Sequence, residues 1–224
     1  MTADAKTYLL RATLILKAKP NPLILPAILG VLLYLPVAPG ESPPAYFPMS
    51  MLILFVILPV IYGQYIELIT HNRLNSYFQI FRTHWLNYFV VCLILGMLLL
   101  VLSLLGHLIG LPVWSLIKIL ATVIDILSIY IFPLVFLTRK HAASIPLGIK
   151  CLAGNLNFSL PLVILALVPS LLNLFTSEIS ETTVLSLPMF ALSYLFWLAS
   201  LFVDFVIFVA AALILKEKLL QPPT

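Results

Sequence analysis

Between residues 85 and 105 the chain carries neither an acidic nor a basic side chain, and other stretches of similar length are almost as bare. A run of about 20 apolar residues is what an α-helix needs to cross a bilayer's hydrocarbon core. In water, each such run would have to be covered by polar protein surface, and this chain has little to offer. Of its 224 residues 62% are hydrophobic and 9% charged, with 12 Lys+Arg and 8 Asp+Glu. An ordinary soluble domain is about 25% charged. The same numbers exclude a soluble globule, disorder, a coiled coil and collagen. The fold class that remains is an all-α integral membrane protein.

Six apolar segments can be marked off by proline, glycine and polar residues: 22–37, 50–69, 85–105, 112–137, 158–175 and 188–215. Together they define a transmembrane domain over 22–215. The first is short and interrupted by Pro26, Gly30 and Pro36, so it is either a full crossing or a re-entrant helix. Residues 1–21 precede it. Within them Leu9, Leu10, Thr13, Leu14 and Leu16 recur at roughly helical spacing, interrupted by Arg11 and Lys17. Residues 5–19 are therefore expected to form an amphipathic helix along the membrane interface. The plainer alternative is an extension of the first crossing. Spread charges and the lack of a small-residue cleavage site argue against a signal peptide. The intervening stretches 39–48, 139–157 and 176–187 read as loops, and 216–224 as a tail.

Six crossings put both ends of the chain on one side. That side would hold Lys6, Arg11, Lys17, Lys19, Arg73, Arg82, Arg139, Lys140, Lys150, Lys216 and Lys218, leaving Lys118 in the first turns of the fourth crossing. The opposite loops would hold Glu41, Glu178 and Glu181. Cytoplasmic loops are enriched in Lys and Arg. The expectation is a multi-pass protein of a prokaryotic cytoplasmic membrane, with both termini inside.

Few polar side chains interrupt the apolar segments. Asp125 and Asp204 fall near the middle of the fourth and sixth, where a charge costs at least about 2.5–3.5 kcal/mol and normally faces a bundle interior. Lys118 is two turns before Asp125, about 10 Å along a helix. These three residues form a candidate intramembrane polar site. It reads either as a proton, ion or substrate site or as an interhelical hydrogen-bonded lock. A second candidate site, at the cytoplasmic interface, comprises Glu67, His71, Arg73 and Arg82. Glu67 and His71 can share a helix face, but two ligands do not define a metal site. A helix-end hydrogen bond or salt bridge is the bland reading, and recognition of an anionic headgroup by Arg73 and Arg82 the sharper one. Cys92 and Cys151 form no ligand-spaced set.

The sequence contains no P-loop, GxGxxG or GxSxG element. No catalytic residue, metal or cofactor is expected. Basic runs no longer than Arg139-Lys140 speak against nucleic acid as a partner. Membrane lipids and other membrane proteins are the expected partners.

Three stretches carry a family resemblance: "LILKAKPNPLILPAIL" at 14–29, "YGQYIELITHNRLNSYFQIFRTHWLNYF" at 62–89 and "IYIFPLVFLTRKHAASIPLGIKCLAGNLNFSLPLVIL" at 129–165. In layout the chain resembles a group of prokaryotic integral membrane proteins that includes the YciC-like proteins. The group also includes the membrane domain fused to some glycerophosphodiester phosphodiesterases. The resemblance implies a multi-pass helical fold. It rests on hydropathy and turns, so the phosphodiesterase activity is not carried over. The expected function is a non-enzymatic subunit or scaffold of a membrane complex. The alternatives are a small transporter or lipid-handling protein using Asp125 and Asp204, and an intramembrane enzyme acting on lipid near Glu67.

Overall fold

The computed structural model describes residues 5–34, 46–110, 112–182 and 187–219. Among these residues all regular structure is helical. In chain order the helices are α1 (Ala5–Ala18), α2 (Asn21–Tyr34), α3 (Tyr46–His71), α4 (Tyr77–Leu108) and α5 (Val113–Ser128). They continue with α6 (Ile131–Thr138), α7 (Ser144–Gly154), α8 (Leu156–Thr182) and α9 (Leu187–Ile214), closed by a π-helical turn at Leu215–Leu219. Three helices are long and apolar enough to cross a membrane: 48–71, 77–108 and 191–218. Up to six crossings result if each of three bent helix pairs is one span. The chain is thus a helical bundle with the apolar helices of a multi-pass membrane protein. The expected loop at 39–48 lies outside the described residues as far as residue 45.

The bundle is organised around α9. Its last ten residues, Phe205–Ile214, are buried at every position, as is Leu215 of the closing turn. A helix that is hydrophobic all round belongs inside a bundle. Helices α1, α2, α3, α6 and α8 pack against it. Tyr62 of α3 sits among aromatic rings there, 4.3 Å from Phe208 and 5.0 Å from Phe205 between centroids. The opposite pattern marks α4, which leaves Leu93, Met97, Leu100, Leu104 and Leu105 exposed. Such a surface suits acyl chains and would be an aggregation hazard in water.

In α1, Ala5, Tyr8, Ala12 and Leu16 form the buried face, while Leu10 and Leu14 are exposed. The helix turns by 80° before α2 begins. Its buried face packs on α9 and α8. Tyr65 fixes the corner by donating its hydroxyl to the Lys19 carbonyl at 3.0 Å.

Three expected boundaries differ from the structure. The fourth segment, read as one helix over 112–137, is broken into α5 and α6, which are bent by 42°. Pro133 has no N–H for the Ile129 carbonyl, and its ring crowds that residue. Ser128 Oγ meanwhile bonds back to the Asp125 carbonyl at 2.8 Å, a contact that bends helices. The stretch 139–157, read as a loop, contains α7. This helix is held because Gly148 lies directly on the backbone of Ile131, where a Cβ would stand 2.9 Å from its Cα and N. The stretch 176–187 is also not wholly a loop, since α8 runs on to Thr182.

Polar and basic groups gather at one end of the bundle. Arg11 reaches Glu217, Lys216 Nζ donates to the Ile69 carbonyl at 2.9 Å, and Asn87 Nδ2 donates to the Arg139 carbonyl at 3.3 Å. Segments remote in sequence thereby share one rim.

Candidate functional site

At the break between α5 and α6 lies a partly open cavity of about 300 Å³. From α5 come Asp125 and Ser128, and from the break and α6 come Ile129, Phe132 and Pro133. From α9 come Trp197, Ser200 and Asp204, spaced three and four residues apart and so on one helix face. Tyr62 of α3 and Pro169 of α8 complete the wall. The proline-containing helices α3, α6 and α8 all border this space. Interrupted helices at membrane depth are tolerated where they line a cavity.

Asp125 and Asp204 therefore share one cavity, although 79 positions separate them. Both are accessible at its wall rather than packed into the core. Tyr62 lines the same cavity as the two acids. Among the described residues, no Lys, Arg or His lines this cavity. Lys118, expected as a third member, does not line it. Sequence patterning did not reveal Tyr62, Ser128 or Trp197 as members. A signal for the break existed in Pro133, but Tyr62 reaches the site only by tertiary packing.

Ser200 adds a separate observation. It is 6% exposed, and its Oγ is buried without a hydrogen-bond partner. An unpartnered buried polar group costs about 1–3 kcal/mol unless a water, ion or ligand satisfies it. The wall chemistry is two acceptor carboxylates, hydroxyls, and the rings of Tyr62, Phe132, Trp197 and Phe208. Anionic groups with aromatic faces attract positively charged solutes.

A second, smaller cavity of about 150 Å³ lies at the basic rim. Glu67, His71 and Arg73 line it. Arg82 does not; it is exposed elsewhere on α4. Its place is taken by Arg139, with His84, Asn75 and Thr83. Glu67 accepts a hydrogen bond from Asn75 Nδ2 at 2.9 Å, and His71 Nε2 is 3.9 Å from the same carboxylate. Among the described residues no three His, Cys, Asp or Glu side chains are grouped to hold a metal.

Comparison with protein-family models, curated proteins and solved structures found no match.

Proposed function

We propose that this chain is a small multi-pass membrane protein that binds an organic or inorganic cation in the α5–α9 cavity and carries it across the membrane. The observation that carries the reading is the pairing of Asp125 with Asp204 in a cavity lined by no basic side chain among the described residues. Two carboxylates facing lipid-depth space without a counter-charge are stabilised by a bound cation or proton. The unpartnered Ser200 hydroxyl supplies a neutral ligand beside them. The rings of Tyr62 and Trp197 favour an organic ammonium ion. A volume of about 300 Å³ is at the small end of ligand pockets, which span about 300–1,000 Å³. In this reading the basic rim faces the cytoplasm of a prokaryotic cell, as the positive-inside tendency favours.

Uptake of tetraethylammonium and of protons into proteoliposomes tests it. Asp125→Asn and Asp204→Asn keep the hydrogen-bonding shape and remove the charge. Uptake is expected to fall at least about tenfold in each, as a charge-assisted contact contributes about 1.5–3 kcal/mol. Thermal stability should remain close to that of the parent. Undiminished uptake in both variants, or no uptake by the parent, counts against transport.

One observation favours a subunit or scaffold as the second reading. A groove of about 440 Å³ between α4 and α5 is lined by Gly96, Leu100, Ser103, Leu104 and His107 of α4 and by Ile117 of α5. Small residues let helices approach closely in membranes. Co-purification of a second membrane protein, lost in Gly96→Leu, would support this reading instead.

A further inference from the structure

We propose that the rim cavity between α3, α4 and α6 is a phosphate-binding site, taking the phosphate of an anionic lipid headgroup or of a free phosphate ester. The proposal does not depend on the cation cavity. Its basis is the meeting of Arg73 and Arg139 across one small polar space. Guanidinium groups offer planar pairs of donors that match phosphate oxygens, and two of them set opposite each other are a recurring phosphate clamp. Asn75 and Thr83 add polar side chains to the same wall.

Backbone geometry presents the two arginines. The helix α3 gives way at Asn72, in the left-handed region at φ 53°, and Arg73 follows directly. The helix α6 ends at Arg139 itself, at φ 56°. A left-handed non-glycine residue is uncommon, and for a long side chain such as arginine it carries a conformational cost. The turn ends α6 at a residue whose side chain lines the same cavity as Arg73. The Arg139 carbonyl is held in place by Asn87.

Simple helix capping explains less. Cations do favour helix C-termini. However, the Ile69 carbonyl near the end of α3 already accepts from Lys216 Nζ. The wall carboxylate, Glu67, is engaged by Asn75 and faces His71. A further polar group is left over: His84 lines the cavity, is 2% exposed, and has a buried Nδ1 without a hydrogen-bond partner. A cavity of about 150 Å³ suits one tetrahedral anion and is below the usual range for larger ligands. Its place among the basic groups of the bundle is where a lipid phosphate would lie.

The test uses the full chain, purified and delipidated in detergent. Phenylglyoxal modifies accessible arginines, and mass spectrometry reads each site. Inorganic phosphate is expected to protect Arg73 and Arg139 and leave Arg82 reactive. This arm needs no variant. Phosphate binding is then measured by calorimetry for Arg73→Gln, Arg139→Gln and the control Arg82→Gln. The first two should bind roughly ten- to a hundredfold more weakly, and the control like the parent. Nanodiscs of phosphatidylcholine alone, or mixed with phosphatidylglycerol, separate the sources. Protection by the mixed lipid without added phosphate assigns the site to a headgroup. Protection by inorganic phosphate only assigns it to a soluble phosphate. Equal reactivity of Arg73, Arg82 and Arg139 under every condition overturns the proposal. So does unaltered binding in both Gln variants.

Discussion

The guanidinium of Arg11 grips both carboxylate oxygens of Glu217, with Nη1 2.9 Å from Oε2 and Nη2 2.8 Å from Oε1. This bidentate pair ties α1 to the turn that closes the chain, 206 positions away. Lys218 completes the clasp by standing 4.0 Å over the Phe158 ring of α8. Both partners of the ion pair are partly exposed, at 43% and 34%. Screening therefore limits its contribution to about 0.2–1 kcal/mol. A double-mutant cycle of Arg11→Ala and Glu217→Ala in detergent should give a coupling of that size, and high salt should reduce it. Coupling unchanged at high salt would mean that packing, not charge, joins the two segments.

Glycine substitutions should separate close packing from open surface. At Gly148 a Cβ would press on the Ile131 backbone, which cannot rotate away. Gly148→Ala should destabilise by about 1–3 kcal/mol, as overpacking does. At Gly96 nothing lies within 4 Å. Gly96→Ala should be neutral or stabilising by up to about 1 kcal/mol, from helix propensity. Thermal unfolding of both variants checks the contrast, and equal effects would refute the α6–α7 packing.

Trp197 makes a related case inside the bundle. A Cβ at Gly30 would fall on the Trp197 ring, which also walls the cation cavity. Gly30→Ala should therefore shift the tryptophan fluorescence and weaken cation binding together. A fluorescence change with binding intact would separate the ring from the site.

The buried bond between Tyr130 and Ser159, 2.8 Å long, pins the α5–α6 break to α8. Ser159→Ala strands the phenol hydroxyl in a buried place and should cost about 1–3 kcal/mol. Tyr130→Phe leaves a serine that can turn to its own helix carbonyl, so its cost should be smaller. The double variant should cost less than the sum of the two, as neighbouring partners do. Strict additivity in thermal melts would show that the bond contributes nothing.

Cysteine reporters test the sidedness. With Cys92 and Cys151 replaced by Ser, single cysteines at Glu41 and His107 should label from outside intact cells. Cysteines at Arg73 and Arg139 should stay protected. Labelling of Arg139 from outside, with His107 protected, would invert the proposed orientation.

Composition alone pointed to a helical bundle with membrane-length apolar helices, which the described residues form. Runs with almost no charged side chains suit a bilayer, and the apolar period in 5–19 already marks a helix there; that Leu16 is buried while Leu10 and Leu14 of the same set are exposed came only from packing. The cost of a charge in an apolar run likewise singles out Asp125 and Asp204 from their place in the chain. Pro133 carries a local signal for the α5–α6 break, a missing N–H, although hydropathy reads 112–137 as one helix. Tertiary structure alone decided the rest. Hydropathy contains no information on which helix lies beside which, so it could not bring α5 against α8, or Tyr62 to the cavity of the two acids. The helix α7 depends on a glycine meeting the backbone of another segment, which no local pattern records. The rim cavity pairs Arg73 with Arg139 rather than Arg82, because two helix ends converge there while Arg82 turns outward. Local propensity and burial preference act over a few residues, but a site is made by surfaces that only packing brings together.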